Sequence, residues 1–198
     1  MTFLLPKPGI ALALIVFEAA CLAAEPGFAR SSESHAAATH ARCELRLSRP
    51  HQDYPRRAAG ELVPIAPGIV TFGTQAGSLS AVCAQPARLA LRLHGQAGPA
   101  GLAGFGKDGA LRVRLGDLSL DGKPAWLESD AAPGTIANEV AWLPGQTLTV
   151  RMPDGVIPGR SLSGRLSIEA VMPLAGTVAI DEILSHAQLV IELLGDSP

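Results

Sequence analysis

From Cys43 onward the chain alternates apolar and polar residues with a period of two, and it does so again and again. In C-E-L-R-L, Cys43, Leu45 and Leu47 fall on one side, with Glu44 and Arg46 on the other. In S-L-S-A-V-C, Leu79, Ala81 and Cys83 share a side. In R-L-A-L-R-L-H, Leu89, Leu91 and Leu93 oppose Arg88, Arg92 and His94. L-R-V-R-L sets Leu111, Val113 and Leu115 against Arg112 and Arg114. T-L-T-V-R-M sets Leu148, Val150 and Met152 against Thr147, Thr149 and Arg151. S-L-S-G-R-L-S-I-E-A sets Leu162, Leu166 and Ile168 against Ser163, Arg165, Ser167 and Glu169. Successive side chains of an extended strand point to opposite faces, so these segments read as strands with one wet and one dry face. The turn signals G-K-D-G, L-D-G-K-P, L-P-G-Q, M-P-D-G and I-P-G-R separate them. Many short strands with such turns predict an all-β chain, an antiparallel β-sandwich.

The segment before the alternation has a different character. Lys7, an apolar run from Gly9 to Phe17, and the small residues Ala19, Ala20, Ala23 and Ala24 match an export signal. Cleavage after Ala24 or after Ala29 leaves a small residue at the cut. The apolar run ends at Glu18, too soon to span a bilayer, and no later stretch is long enough, so no membrane span is expected in the mature chain. The expected organisation is a signal peptide at 1–24, a flexible polar leader at 25–41 and a β-sandwich domain at 42–198.

Export bears on the cysteines. Cys21 lies within the signal and leaves with it; a lipid-attachment site would place Leu at the position of Glu18. Cys43 and Cys83 remain, and an even pair in an exported chain predicts one disulfide. On the chain-entropy account, closing that loop stabilises the fold by about 4 kcal/mol.

Chemistry-bearing motifs are sparse. A net charge of −2 with no basic block argues against nucleic-acid binding. Gly104, Gly106 and Gly109 spell G-x-G-x-x-G, but the strand-like L-R-V-R-L follows where a phosphate site needs a helix. Asp117, Ser119, Asp121, Gly122 and Glu128 fit most of the spacing of a twelve-residue calcium loop, yet their flanks alternate as strands, and a D-G hairpin turn accounts for the same residues. The histidines, His35, His40, His51, His94 and His186, form no tight metal spacing. No nucleophile and base stand together, so no enzyme activity and no cofactor are expected. Trp126 and Trp142 read as packing residues, with a ligand groove as the alternative.

One stretch reads two ways. Ile180, Ile183, Leu184, Ala187, Val190, Ile191 and Leu194 fall at helical spacing, whereas a strand over Gln188 to Leu194 sets Leu189, Ile191 and Leu193 on one face. The all-β context favours the strand.

Taken in order, C-E-L-R-L-S, Asp53-Tyr54, S-L-S-A-V-C, Pro86, R-L-A-L-R-L-H-G, F-G-K-D-G-A-L-R-V-R-L, L-D-G, L-P-G-Q and S-L-S-G-R-L-S-I-E-A resemble subunits of bacterial chaperone–usher fimbriae, and among them the branch described as probable major subunits of β-fimbriae. The likeness runs from about Cys43 to Leu194. It implies an immunoglobulin-like sandwich lacking its last strand, which a periplasmic chaperone and then a neighbouring subunit supply at the usher. It implies that Cys43 and Cys83 tie the first strand to the second, and that a chaperone docks at Leu189, Ile191 and Leu193. The implied location is the periplasm and then the cell surface. Two features depart from the family pattern: the leader Arg30 to Ala41 holds no bulky apolar residue, and the C-terminus reads L-L-G-D-S-P without an aromatic residue. A minor, terminal or divergent subunit is compatible with both. The rival expectation is a self-complete secreted sandwich that binds a carbohydrate or a calcium ion.

Overall fold

The structure, a computed structural model, describes residues 43–55, 57–177 and 185–196. The expected signal, cleavage sites and polar leader lie outside the described residues. The strands are β1 (Cys43–Leu47), β2 (Val63–Ala66), β3 (Ile69–Gly95), β4 (Ala103–Phe105), β5 (Gly109–Leu120), β6 (Lys123–Pro124), β7 (Trp126–Ser129), β8 (Ile136–Ala137), β9 (Glu139–Trp142), β10 (Thr147–Arg151), β11 (Gly159–Pro173) and β12 (Leu189–Asp196). All their pairings are antiparallel. Among the described residues the helical elements are short 3-10 turns at Ala59–Glu61, Pro99–Gly101 and Leu174–Thr177.

The long strand β3 belongs to both sheets. Its first part pairs with β11 on one flank and with β1 and β2 on the other, and β11 pairs in turn with β5. The outer side of β5 carries β4, β6 and β9. From Arg88 onward β3 pairs with β12 on one flank and β10 on the other, and β10 leads on to β7 and β8. Residues 84–86, where β3 passes from one sheet to the other, pair with no strand among the described residues. Pro86 sits in this stretch, where its missing N–H interrupts no ladder. The alternation reads S-L-S-A-V-C and R-L-A-L-R-L-H as separate strand segments on either side of Pro86; the structure joins them into one 27-residue strand.

The alternation decides which side chains meet. Leu45 lies opposite Ala81, Ala81 opposite Leu162, and Leu162 opposite Leu120, a row crossing four strands of the first sheet. Leu193, Leu91 and Leu148 form the corresponding row in the second. Between the sheets Leu79, Leu91, Leu93, Leu115, Leu127, Leu148, Leu162 and Trp142 are fully buried. At about 1.5–3 kcal/mol for each large aliphatic side chain, this layer is the main source of stability. The chain is therefore an all-β antiparallel sandwich. Leu189–Asp196 is a strand, as the all-β context favours, while 180–184 lie outside the described residues.

Two further differences from the sequence reading are local. The Pro- and Arg-rich stretch from Arg49 to Pro67, which shows none of the alternation described above, contains β2, which folds back as a hairpin on the start of β3. The strands β7, β8 and β9 have no counterpart in that reading. They are four residues long or shorter, too brief for a period to register.

Candidate functional site

One flank of β3 ends in strands that, among the described residues, pair with nothing else. Among the described residues β1 pairs with β3 alone, and so does β12. Both lie on the flank away from β11 and β10, and the two strands approach one another. Between them they present two rows of inward aliphatic side chains at the margin of the core: Cys43, Leu45 and Leu47 on β1, and Leu189, Ile191 and Leu193 on β12. All six are only half-buried. Their neighbours on β3 are not. Leu79, Ala81, Leu91 and Leu93 have no exposed surface, and Cys83 retains 4%. Burial therefore falls off sharply over the width of one strand, along both sheets, on the same side of the molecule.

β1 is fixed covalently. Cys43 and Cys83 are register partners and are joined by a disulfide, with 3.9 Å between their Cα atoms. The bridge ties the first strand to β3, with the short β2 intervening in sequence. Beyond β1 the chain continues along the same flank: Ser48 N–H donates to Ser78 O at 2.9 Å, Ser78 N–H to Ser48 Oγ at 2.8 Å, and Gln75 Nε2 to Asp53 O at 2.6 Å. On the outward side of β1, Arg46 Nε donates to Glu44 Oε1 at 2.8 Å, and that bond holds the Glu44 carboxyl below its ordinary range.

β12 is held without a covalent link. It pairs with β3 over its whole length, from Leu189 opposite Gly95 to Asp196 opposite Arg88. Leu189 lies over Gly95, where a Cβ would stand 2.8 Å from Leu189 Cδ2. The approach to the strand rests on the turn after β4: Gly106 N–H donates to His186 O at 3.2 Å, and Gly106 (φ +62°) leaves room for the Ser185 side chain. His94 Nε2 and Glu192 Oε2 are 2.7 Å apart on the outward face.

Next to β1 along this flank sits Tyr54. Its hydroxyl donates to Ile168 O at 2.8 Å, and its ring meets Phe105 edge-on at 6.1 Å between centroids. Burial first, and the Glu169 carboxylate second, push its pKa up to about 12. The phenol is thus a neutral donor that ties the segment after β1 onto β11.

Other candidates resolve into structural contacts. The residues of the calcium-like spacing do not converge: Asp121 accepts from the Arg160 and Ser161 N–H groups, Asp117 pairs with Arg165 at 2.7 Å, the Ser119 hydroxyl meets Ser163 at 2.9 Å, and Glu128 pairs with Arg151 at 3.2 Å. Asp117 and Asp121 adopt positive φ beside the β5–β6 turn. Gly104, Gly106 and Gly109 belong to the β4–β5 hairpin, with no helix behind it. Trp142 is buried in the core and its Nε1 donates to Gln146 O at 3.0 Å, which removes it from any ligand groove. Among the described residues no three metal-ligating side chains cluster, and no helix is long and apolar enough to cross a membrane.

No protein-family profile matches the chain, and no curated protein matches it. Among solved structures, a chain from the work described as "Chaperone-tip adhesin complex is vital for synergistic activation of CFA/I fimbriae biogenesis" is similar at 14% identity and a TM-score of 0.43. The similarity covers 77% of this chain and 43% of that one, so this chain spans less than half of its length.

Proposed function

We propose that this chain is a structural subunit of a fimbria-like surface fibre, exported to the periplasm and assembled by insertion of a donated β-strand between β1 and β12. The observation that carries the reading is the shared drop in burial on these two strands, each paired with β3 alone among the described residues. An incoming extended segment would bond the outer backbone edges of β1 and β12 and set alternate side chains against Leu45, Leu47, Ile191 and Leu193. Each large aliphatic residue so covered is worth about 1.5–3 kcal/mol, a strong drive for capture. Left bare, the same edges invite aggregation, which is the reason such a subunit would travel with a periplasmic chaperone before an usher passes it to neighbouring subunits. The work is done by strand exchange, with no covalent chemistry and no cofactor.

The leader Arg30 to Ala41 consists of small and polar residues. It would fill a neighbour's pockets poorly, so the chain is better suited to accept a strand than to donate one. That fits a minor or terminal place in a fibre.

The test is periplasmic expression of the full chain with and without the chaperone of a chaperone–usher system. The expected result is a one-to-one complex with the chaperone, and without it a lower soluble yield and a tendency of the free chain to aggregate. Ile191→Asp and Leu193→Asp should abolish the complex. A well-folded monomer that forms no complex would overturn the proposal.

A further inference from the structure

Strand β12 and the part of β3 beside it carry opposite charges on their outward faces. Glu192 and Asp196 are exposed on β12, and Arg88, Arg92 and His94 are exposed on β3. The register sets Asp196 opposite Arg88 and Glu192 opposite Arg92, while Glu192 also meets His94 at 2.7 Å. Both acids of this pair of faces are on one strand and both arginines on the other.

The inward face grades possible registers unevenly. A slip by one residue turns Leu189, Ile191 and Leu193 out to water and is rejected by burial. A slip by two keeps them facing in. At the centre, Ile191 faces Leu93 and Leu193 faces Leu91; a slip toward Leu89 sets Ile191 against Leu91 and Leu193 against Leu89 and so trades aliphatic pairs, whereas the opposite slip sets Ile191 against Gly95 and Gly195 against Leu91. The outward face responds strongly to the same displacement. Moving Glu192 opposite His94 sets Leu194 against Arg92 and Asp196 against Ala90. Moving it the other way sets Glu192 against Ala90, Leu194 against Arg88 and Asp196 against Pro86. Either slip takes Glu192 and Asp196 away from the arginines across from them and lays Leu194 opposite an arginine, while the first keeps Glu192 at His94. Opposite charges across an antiparallel pair are favourable and like charges are not.

The geometry points to a register lock: Arg88 and Arg92 opposite Asp196 and Glu192, with His94 beside Glu192, hold β12 against the one even slip that its apolar face would tolerate. It thereby sets the height at which Leu189, Ile191 and Leu193 stand along the edge. The lock acts within the chain and holds whether or not another strand ever docks.

The test uses the full chain in a His94→Gln background, compared with two variants built on it. One carries Arg88→Glu and Arg92→Glu, which puts like charges opposite each other. The other adds Glu192→Arg and Asp196→Arg, which restores the ladder with its signs exchanged. Two readouts apply: the cross-strand nuclear Overhauser contact between Leu194 and Ala90, and amide exchange along β12. The like-charge variant is expected to lose the contact and to exchange at least tenfold faster in β12, and the exchanged variant to recover both. Failure of the like-charge variant to fold, with folding of the exchanged one, gives the same answer. Retention of the contact and of parental exchange in the like-charge variant overturns the lock. So does a loss that the exchanged variant does not repair.

Discussion

Leu189 packs across the strand from Gly95, its Cδ2 standing 2.8 Å from where a Cβ on Gly95 would lie. A side chain at 95 must push Leu189 out of its place at the start of β12. Overpacking of this kind typically costs about 1–3 kcal/mol, and the half-exposed setting puts Gly95→Val near the lower end. Urea denaturation should show that loss, and adding Leu189→Ala to Gly95→Val should recover part of it. A Gly95→Val protein as stable as the parent would mean that β12 does not depend on this contact.

The Cys43–Cys83 bridge closes a sequence separation of 40 between an edge strand and the centre of its sheet. Replacing both cysteines by alanine is expected to cost about 2–5 kcal/mol, the usual range for removing a native disulfide from a small domain. The loss should appear in equilibrium unfolding of the double variant and should be matched by the wild type under reducing conditions. Equal stability of oxidised and reduced protein would contradict this.

Tyr54 is the one tyrosine of the chain, so phenolate absorbance reports on it alone. Burial and the Glu169 charge keep its phenol protonated up to about pH 12 in the folded state, against an ordinary value near 10. The folded pKa is raised, so the contribution to stability is complete below pH 10 and is lost as pH climbs from 10 through 12. Phenolate should therefore appear late in the native protein and near pH 10 in urea. Tyr54→Phe, which removes the hydroxyl bonded to Ile168 O, should cost about 1 kcal/mol and flatten this alkaline loss. A native titration indistinguishable from the unfolded one would refute the assignment.

The Asp121 carboxylate accepts from the backbone of Arg160 and Ser161, which joins the β5–β6 turn to the start of β11. Bonds to a charged acceptor contribute about 1.5–3 kcal/mol each before solvent exposure is counted. Asp121 is exposed, so Asp121→Ala should cost about 1 kcal/mol, near the value of an ordinary bond. Millimolar calcium should leave the melting temperature of the parent unchanged. A rise in melting temperature with calcium would reopen the ion-binding reading.

The parts of the fold legible in the sequence are those where one strand face is wet and the other dry. L-R-V-R-L and T-L-T-V-R lie inside β5 and β10, because arginine and threonine mark the outward side at every second position. The length of β3 was hidden for a physical reason. Pro86 signals a break, but it falls where the strand changes sheets and no partner asks for its N–H. Trp142 and Trp126 look alike in sequence, yet the neighbouring Gln146 carbonyl lets Trp142 be buried fully. The inward faces of β1 and β12 could be read from their alternation. Their half-burial could not, because a period of two does not say which strands stand at the margin of a sheet.

Hydrogen exchange, read residue by residue on the chaperone-bound chain and on the free chain, tests the central claim most directly. Strand capture between β1 and β12 predicts that the outward-pointing amides of Cys43–Leu47 and Leu189–Asp196 slow by tenfold or more in the complex, at alternate residues. Unchanged exchange along both strands, with protection gained elsewhere on the sandwich, would contradict it.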